Sequence, residues 1–154
     1  ILFMIKSEFM LYSKSAEYAI QAMIYLAEHK PEKPVMIRKI ARSYNIPYQF
    51  LAKIMQILVK NRLIVATRGR TGGVELGRDP KEIYLNQIVH AIDGLPPDQE
   101  QCVVGLDLCN DDAPCPLHDE WKPIRQRLRD LLSGENLDDL AQKVIEKRKK
   151  MTTK

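Results

Sequence analysis

The chain has no apolar run long enough to cross a membrane, and its 154 residues include only three cysteines. The first absence excludes a helical membrane span. The opening ILFMIKSEF is short and apolar but lacks a small-residue cleavage site, so it does not read as a secretion signal. Nothing else points to export, and a reducing, cytoplasmic compartment is the expectation. There the cysteines stay thiols unless a metal takes them. No Gly-Lys-Ser/Thr opens a helix, which excludes a P-loop. There is no Cys-x-x-Cys, and His29, His90 and His118 fall in no recognisable catalytic pattern with a Ser or an acid. The chain is not expected to be an enzyme.

What is present describes one domain, or a small domain with an extension, large enough to bury a real core. Charged residues make up 29% and hydrophobic ones 45%, as in ordinary globular proteins. The formal charge is +4, but it is unevenly spread. Bases dominate 33–81, while acids gather in 107–119 and at Asp138 and Asp139. A basic half beside an acidic one suggests a polyanion partner, with a solvated charged face as the plainer alternative.

Helical periodicity begins at Ser13. Ala16, Ala19, Ile20, Met23, Ile24 and Ala27 recur at three- and four-residue steps, predicting a helix to about His29. Ser13 and Ser15 are its candidate caps, and Glu17 in the first turn suits the helix dipole. A short helix is expected over 36–44, closed by Asn45 in a left-handed turn. Another is expected over 47–61, with Pro47 at its first position. Its expected buried stripe is Phe50, Leu51, Ile54, Met55 and Leu58. Tyr48, Gln49, Ala52, Lys53 and Gln56 face the other way. Two helices about a tight turn, the second presenting Tyr48, Gln49 and Lys53, fit a helix-turn-helix, and Gln and Lys suit base edges. A plain helical hairpin would show the same pattern.

The next stretch favours DNA. Strand-forming runs at 63–67 and 74–76 flank RGRTGG, whose three glycines predict a turn with positive φ angles. Such a hairpin is the wing of a winged helix. Arg68 and Arg70 at its tip could enter a minor groove or bind phosphates. Asn86 is the expected cap of a helix running to Asp93 and closed by Gly94, with His90 half-buried on it. Later, Trp121, Ile124, Leu128, Leu131 and Leu132 form a short seam near heptad spacing, with Pro123 expected in or near the first turn. That seam could serve as core, or pair with its copy in a dimer reading a two-fold DNA site. A last helix is expected over 137–147, and 148–154 reads as a disordered tail.

Between these lies CVVGLDLCNDDAPCPLH, holding Cys102, Cys109, Cys115 and His118 among loop-forming residues. Three thiolates and an imidazole on one loop can surround a metal centre, and thiolates favour zinc, copper(I) and iron–sulfur clusters. The spacing is not that of a standard zinc motif. Ordinary small buried residues, or a disulfide that leaves one cysteine over, are the alternatives.

The motifs SKSAEYAIQAMIYLA, IRKIARSYNIPYQFLAKIMQILVKNRLI and RGRTGGVELG, followed by three cysteines, a histidine and a Trp-bearing helix, come in a telling order. Together they resemble the Rrf2 family of IscR-like and NsrR-like winged-helix transcriptional regulators of bacteria, over about 10–140. The resemblance implies a mostly α fold with a small β-hairpin wing and a long dimerisation helix. It divides the chain into an extension (1–9), a winged helix-turn-helix domain (10–94), a cluster-binding loop (95–118), dimerisation and C-terminal helices (119–147) and the tail. It implies a homodimer on a double-stranded DNA operator, with no membrane partner. It also implies an iron–sulfur cluster on Cys102, Cys109 and Cys115, responsive to redox state, iron or nitric oxide and readily lost on purification. A two-iron, two-sulfur cluster is favoured over a four-iron, four-sulfur one. In one branch of the family the fourth ligand is a histidine three positions after the last cysteine, where His118 stands. In other members it is an acid early in the first helix, given by the partner subunit, and Glu17 matches that place. His118 shares the loop, and imidazole ligation has precedent in Rieske centres. The first cysteine spacing is one residue longer than in the histidine branch. Some members carry no cluster, so a zinc-bound or metal-free regulator sensing a small molecule or a partner protein is the alternative.

Overall fold

The computed structural model of the protein describes residues 11–29, 32–94, 102–104, 106 and 110–152. The expected extension over 1–9, Cys109, and Lys154 at the end of the expected tail lie outside them. The first helix, α1 (Lys14–His29), is central: Ala16, Ala19, Ile20, Ala22, Met23, Ile24, Tyr25, Leu26 and Ala27 are all buried. A helix apolar on so many sides has neighbours all round, and α1 packs on α2 (Ile37–Ser43), α3 (Tyr48–Lys60), α4 (Leu85–Asp93), α6 (Leu137–Thr152) and the second strand of the hairpin. Ser13 caps it, its Oγ accepting from the Ala16 amide at 3.1 Å. The Ser13 amide and hydroxyl both donate to the Asp93 carboxylate, which ties the end of α4 to the start of α1.

Helices α2 and α3 meet at Asn45, whose φ of 52° is the left-handed turn expected there. Leu51, Ile54, Met55 and Leu58 form the buried stripe of α3. Phe50 was expected in that stripe but is 61% exposed. The stripe follows the i, i+3, i+4, i+7 rows from Leu51, and Phe50 falls one step around the helix from its edge. Pro47 precedes α3 as its cap instead of opening it.

Strands β1 (Ile64–Thr67) and β2 (Gly73–Leu76) pair antiparallel, Ile64 opposite Leu76 and Thr67 opposite Gly73. Val35 adds a bridge on the outer edge of β2, exchanging two 2.9 Å backbone hydrogen bonds with Val74. Of the three tip glycines only Gly69 has positive φ (109°), which corrects the expectation for the other two. Gly72 and Gly73 are needed for space, since a Cβ at Gly73 would strike the Val35 backbone and one at Gly72 the Thr67 carbonyl.

A 3-10 turn, Pro80–Glu82, leads to α4. The cap of α4 is Tyr84, whose amide donates to Gln87 Oε1 at 3.0 Å, while Asn86, the expected cap, lies inside the helix. Gly94 closes it with φ 85°. Helix α5 (His118–Gly134) carries Pro123 just past its first turn. Helix α6 begins at an Asn136 cap, with Oδ1 accepting from the Asp139 amide at 2.9 Å. It runs to Thr152, so residues 148–152 of the expected disordered tail are helical. Arg148 anchors it, donating to Glu28 Oε2 of α1 and to Oη of Tyr44, the residue that closes α2, each at 2.7 Å. No helix among the described residues is long and apolar enough to cross a membrane.

Candidate nucleic-acid interface and cysteine loop

The amphipathic pattern of α3 sends Leu51 and Met55 inward and leaves Tyr48, Gln49 and Lys53 on the exposed side. Gln49 and Lys53 are four residues apart, hence on one face. Arg68 and Arg70 are both exposed at the hairpin tip. The residues expected to touch DNA thus lie on solvent-facing sides of two elements that share one core. Arg38 and Arg42 on α2, which the sequence did not single out, border Tyr48 around the same turn. Their four-residue spacing on an otherwise apolar-faced helix was the available signal.

The cysteine loop is built differently. Cys102 and Cys115 are 5% and 8% exposed and pack into a small cluster of their own, apart from the main core. His118 is 4% exposed, the one polar residue in the buried class among the described residues. Its amide donates to the Cys115 carbonyl at 3.0 Å, so the turn after Cys115 becomes the first turn of α5. Its Nε2 lies 3.0 Å from Asp111 Oδ1. Lys122 donates to both oxygens of Asp111, at 2.6 and 2.8 Å. Those bonds, with the one from His118, hold the Asp111 carboxyl below its usual range. An ionised carboxylate only accepts, so Nε2–H donates, and any coordination by this ring would fall to Nδ1. Soft thiols and a buried, oriented imidazole form a donor set that suits an iron–sulfur cluster.

Glu17 sits elsewhere, in the first turn of α1, accepting from Lys14 Nζ at 2.8 Å and Gln21 Nε2 at 3.4 Å. Among the described residues no three His, Cys, Asp or Glu side chains gather closely enough to hold a metal, and Cys109 is not among those residues. The sequence reading missed the Asp111–Lys122 brace, since a carboxylate–lysine pair eleven residues apart across a loop and a helix has no periodic signature.

Helix α5 exposes much of its apolar seam: Ile124 is 55% and Leu131 52% exposed, and only His118 on this helix is buried.

Comparison with known proteins agrees with this geometry. The Rrf2 family model, described as an iron-dependent transcriptional regulator, matches residues 12–143. The HTH-type transcriptional regulator IscR of Pectobacterium atrosepticum is 30% identical over 128 residues, covering 83% of this chain and 77% of its own. Among solved structures, CymR, the global cysteine regulator of B. subtilis, superposes with a TM-score of 0.71 at 26% identity, covering 86% of this chain and 97% of its own. T. potens IscR gives 0.69 at 24% identity, over 88% and 89%. A winged helix matched over nearly its whole length, with its polar α3 face outward, leaves one assignment: the chain belongs to the Rrf2 family of DNA-binding transcriptional regulators.

Proposed function

We propose that this regulator acts as a cytoplasmic homodimer whose hold on its operator is set by an iron–sulfur cluster on Cys102, Cys109, Cys115 and His118. The observation that carries the reading is that Cys102, Cys115 and His118 are each buried in a loop whose other described residues are mostly exposed. Burying an imidazole costs free energy unless it is paired, and here Asp111 orients it. His118 is favoured over Glu17 because it belongs to the same loop, three residues after the buried Cys115, whereas the Glu17 carboxylate is engaged on α1 by Lys14 and Gln21.

A bound cluster, two-iron two-sulfur in the favoured form, would supply a centre reactive to redox change, iron supply or nitric oxide. The protein supplies the coupling. His118 is both the proposed last ligand and the first residue of α5, so the order of the loop bears directly on that helix. Helix α5 packs on α4, which Asp93 ties to α1. With the α5 seam paired against a second copy, a change in the loop shifts the spacing of two α3 helices, an order–disorder switch. Tyr48, Gln49 and Lys53 read the major groove, and Arg68 and Arg70 hold the minor groove or phosphates.

Two tests apply. After anaerobic reconstitution, His118→Ala should alter the visible absorption and Glu17→Ala should not; the reverse would move the fourth ligand to Glu17. Lys53→Ala should weaken operator binding by about 1–3 kcal/mol while sparing random duplex. Equal loss on both would remove Lys53 from base reading. A second reading, a zinc-bound or metal-free regulator sensing a small molecule or a partner protein, draws on the fold shared with a cysteine regulator. A colourless protein with one zinc, or none, per chain would favour it.

A further inference from the structure

We propose that Arg38 and Arg42 of α2, with Tyr48 at the start of α3, form a seat for one DNA backbone phosphate beside the base-reading face. The proposal rests on the family's DNA binding and adds a backbone contact made by arginines of α2, beside those of α3 and the wing. Arg38 and Arg42 are both exposed and one helical turn apart, so their guanidinium groups lie on one side of α2. With Ala41, Asn45, Ile46 and Tyr48 they line an open recess of about 330 Å³ at the turn between the two helices.

The Arg38 guanidinium carbon lies 5.2 Å from the centroid of the Tyr48 ring. That cation–π contact restricts a long, flexible side chain before any ligand arrives, which lowers the entropy cost of binding. Among the described residues, no carboxylate forms an ion pair with either arginine. Two uncancelled positive charges therefore face the recess. The first turn of α3 holds no acid and its cap supplies no side-chain hydrogen bond, so its partial positive charge has the same sign. A planar guanidinium fork matches phosphate oxygens. In a helix-turn-helix the first helix crosses the backbone while the second enters the groove. The anion brought to this recess is thus a phosphodiester. Tyr48 acts here as a positioning residue that holds Arg38.

The test is a salt titration of binding to two fluorescent duplexes, one of random sequence and one selected by the wild-type protein from a random pool. The Arg38→Ala, Arg42→Ala double variant should reduce the slope of log K against log salt by about 0.9, the share of one phosphate, and each single variant by no more than that. Each should weaken both duplexes alike, by roughly tenfold at low salt. Tyr48→Phe keeps the ring and should keep the slope. Tyr48→Ala should weaken binding in the wild-type background and have little further effect on random duplex once Arg38 is alanine. Arg38→Gln, which preserves helix propensity, serves if the alanine variant melts early. A wild-type slope in the folded double variant overturns the seat, and so does a loss confined to the selected duplex, which would mark a base contact. Failure of the wild-type protein to bind either duplex overturns the DNA reading as well, and so is told apart from failure of the seat alone.

Discussion

Between α1 and α4 the chain buries Ala19, Met23, Leu26, Ile40, Leu51, Met55, Leu58, Ile64, Val74 and Ile88 in one continuous cluster. Between Cys102 and the end of α5, only Cys102, Cys115 and His118 among the described residues are buried. The first region is held by its own side chains, each large apolar one worth about 1.5–3 kcal/mol when fully buried. The second has ligand-type residues in place of a core and an α5 seam still facing solvent. On the proposed reading, such a region would take its order from what binds it, as a sensing element requires.

The contrast can be broken most forcefully at Leu51, fully buried in the main cluster. Leu51→Ala should cost about 2–5 kcal/mol in urea unfolding followed by circular dichroism. Gly73→Ala should cost about 1–3 kcal/mol, because the new Cβ meets the Val35 backbone and must push the wing off the linker before α2. Its DNA affinity should fall with its stability. Arg148→Ala should cost about 1–3 kcal/mol by leaving the Glu28 carboxylate, whose side chain is 4% exposed, without its partner. Equal stability in that variant would mean that α6 is not held to α1 and α2 by this contact.

On the other side of the comparison, Ile124→Ala should change the unfolding of the isolated chain by no more than about 0.5 kcal/mol, while sedimentation equilibrium shows a weaker dimer. The smallest effect concerns Lys143, whose pKa is raised above 10.5 chiefly by its hydrogen bond to Glu135. A raised folded-state pKa means that the contribution is complete below 10.5 and is lost as pH rises through the folded value. The difference in melting temperature between wild type and Lys143→Met should therefore shrink only at strongly alkaline pH.

The same contrast explains what could be read from the sequence. Apolar periodicity gave α1 to α4 nearly to the residue, because in that region burial decides the structure. It failed where burial was not decisive. Phe50 is apolar and lies next to the stripe, yet it faces water. Gly72 and Gly73 looked like turn residues and instead make room for neighbouring backbone. The end of α6 looked like a charged tail, since nothing local reveals that Arg148 reaches Glu28, 120 residues away in sequence. In the cysteine loop, residue chemistry suggested candidate ligands, but the brace from Lys122 through Asp111 to His118 emerged only in three dimensions.

Whether the cysteine loop holds the proposed iron–sulfur cluster is tested most directly by the visible absorption spectrum of anaerobically purified protein with iron and sulfide analysis. A coloured protein with about two irons and two sulfides per chain is expected, matching the favoured cluster. A colourless protein without iron, even after anaerobic reconstitution, would contradict it and leave the winged helix as the reader of a different signal.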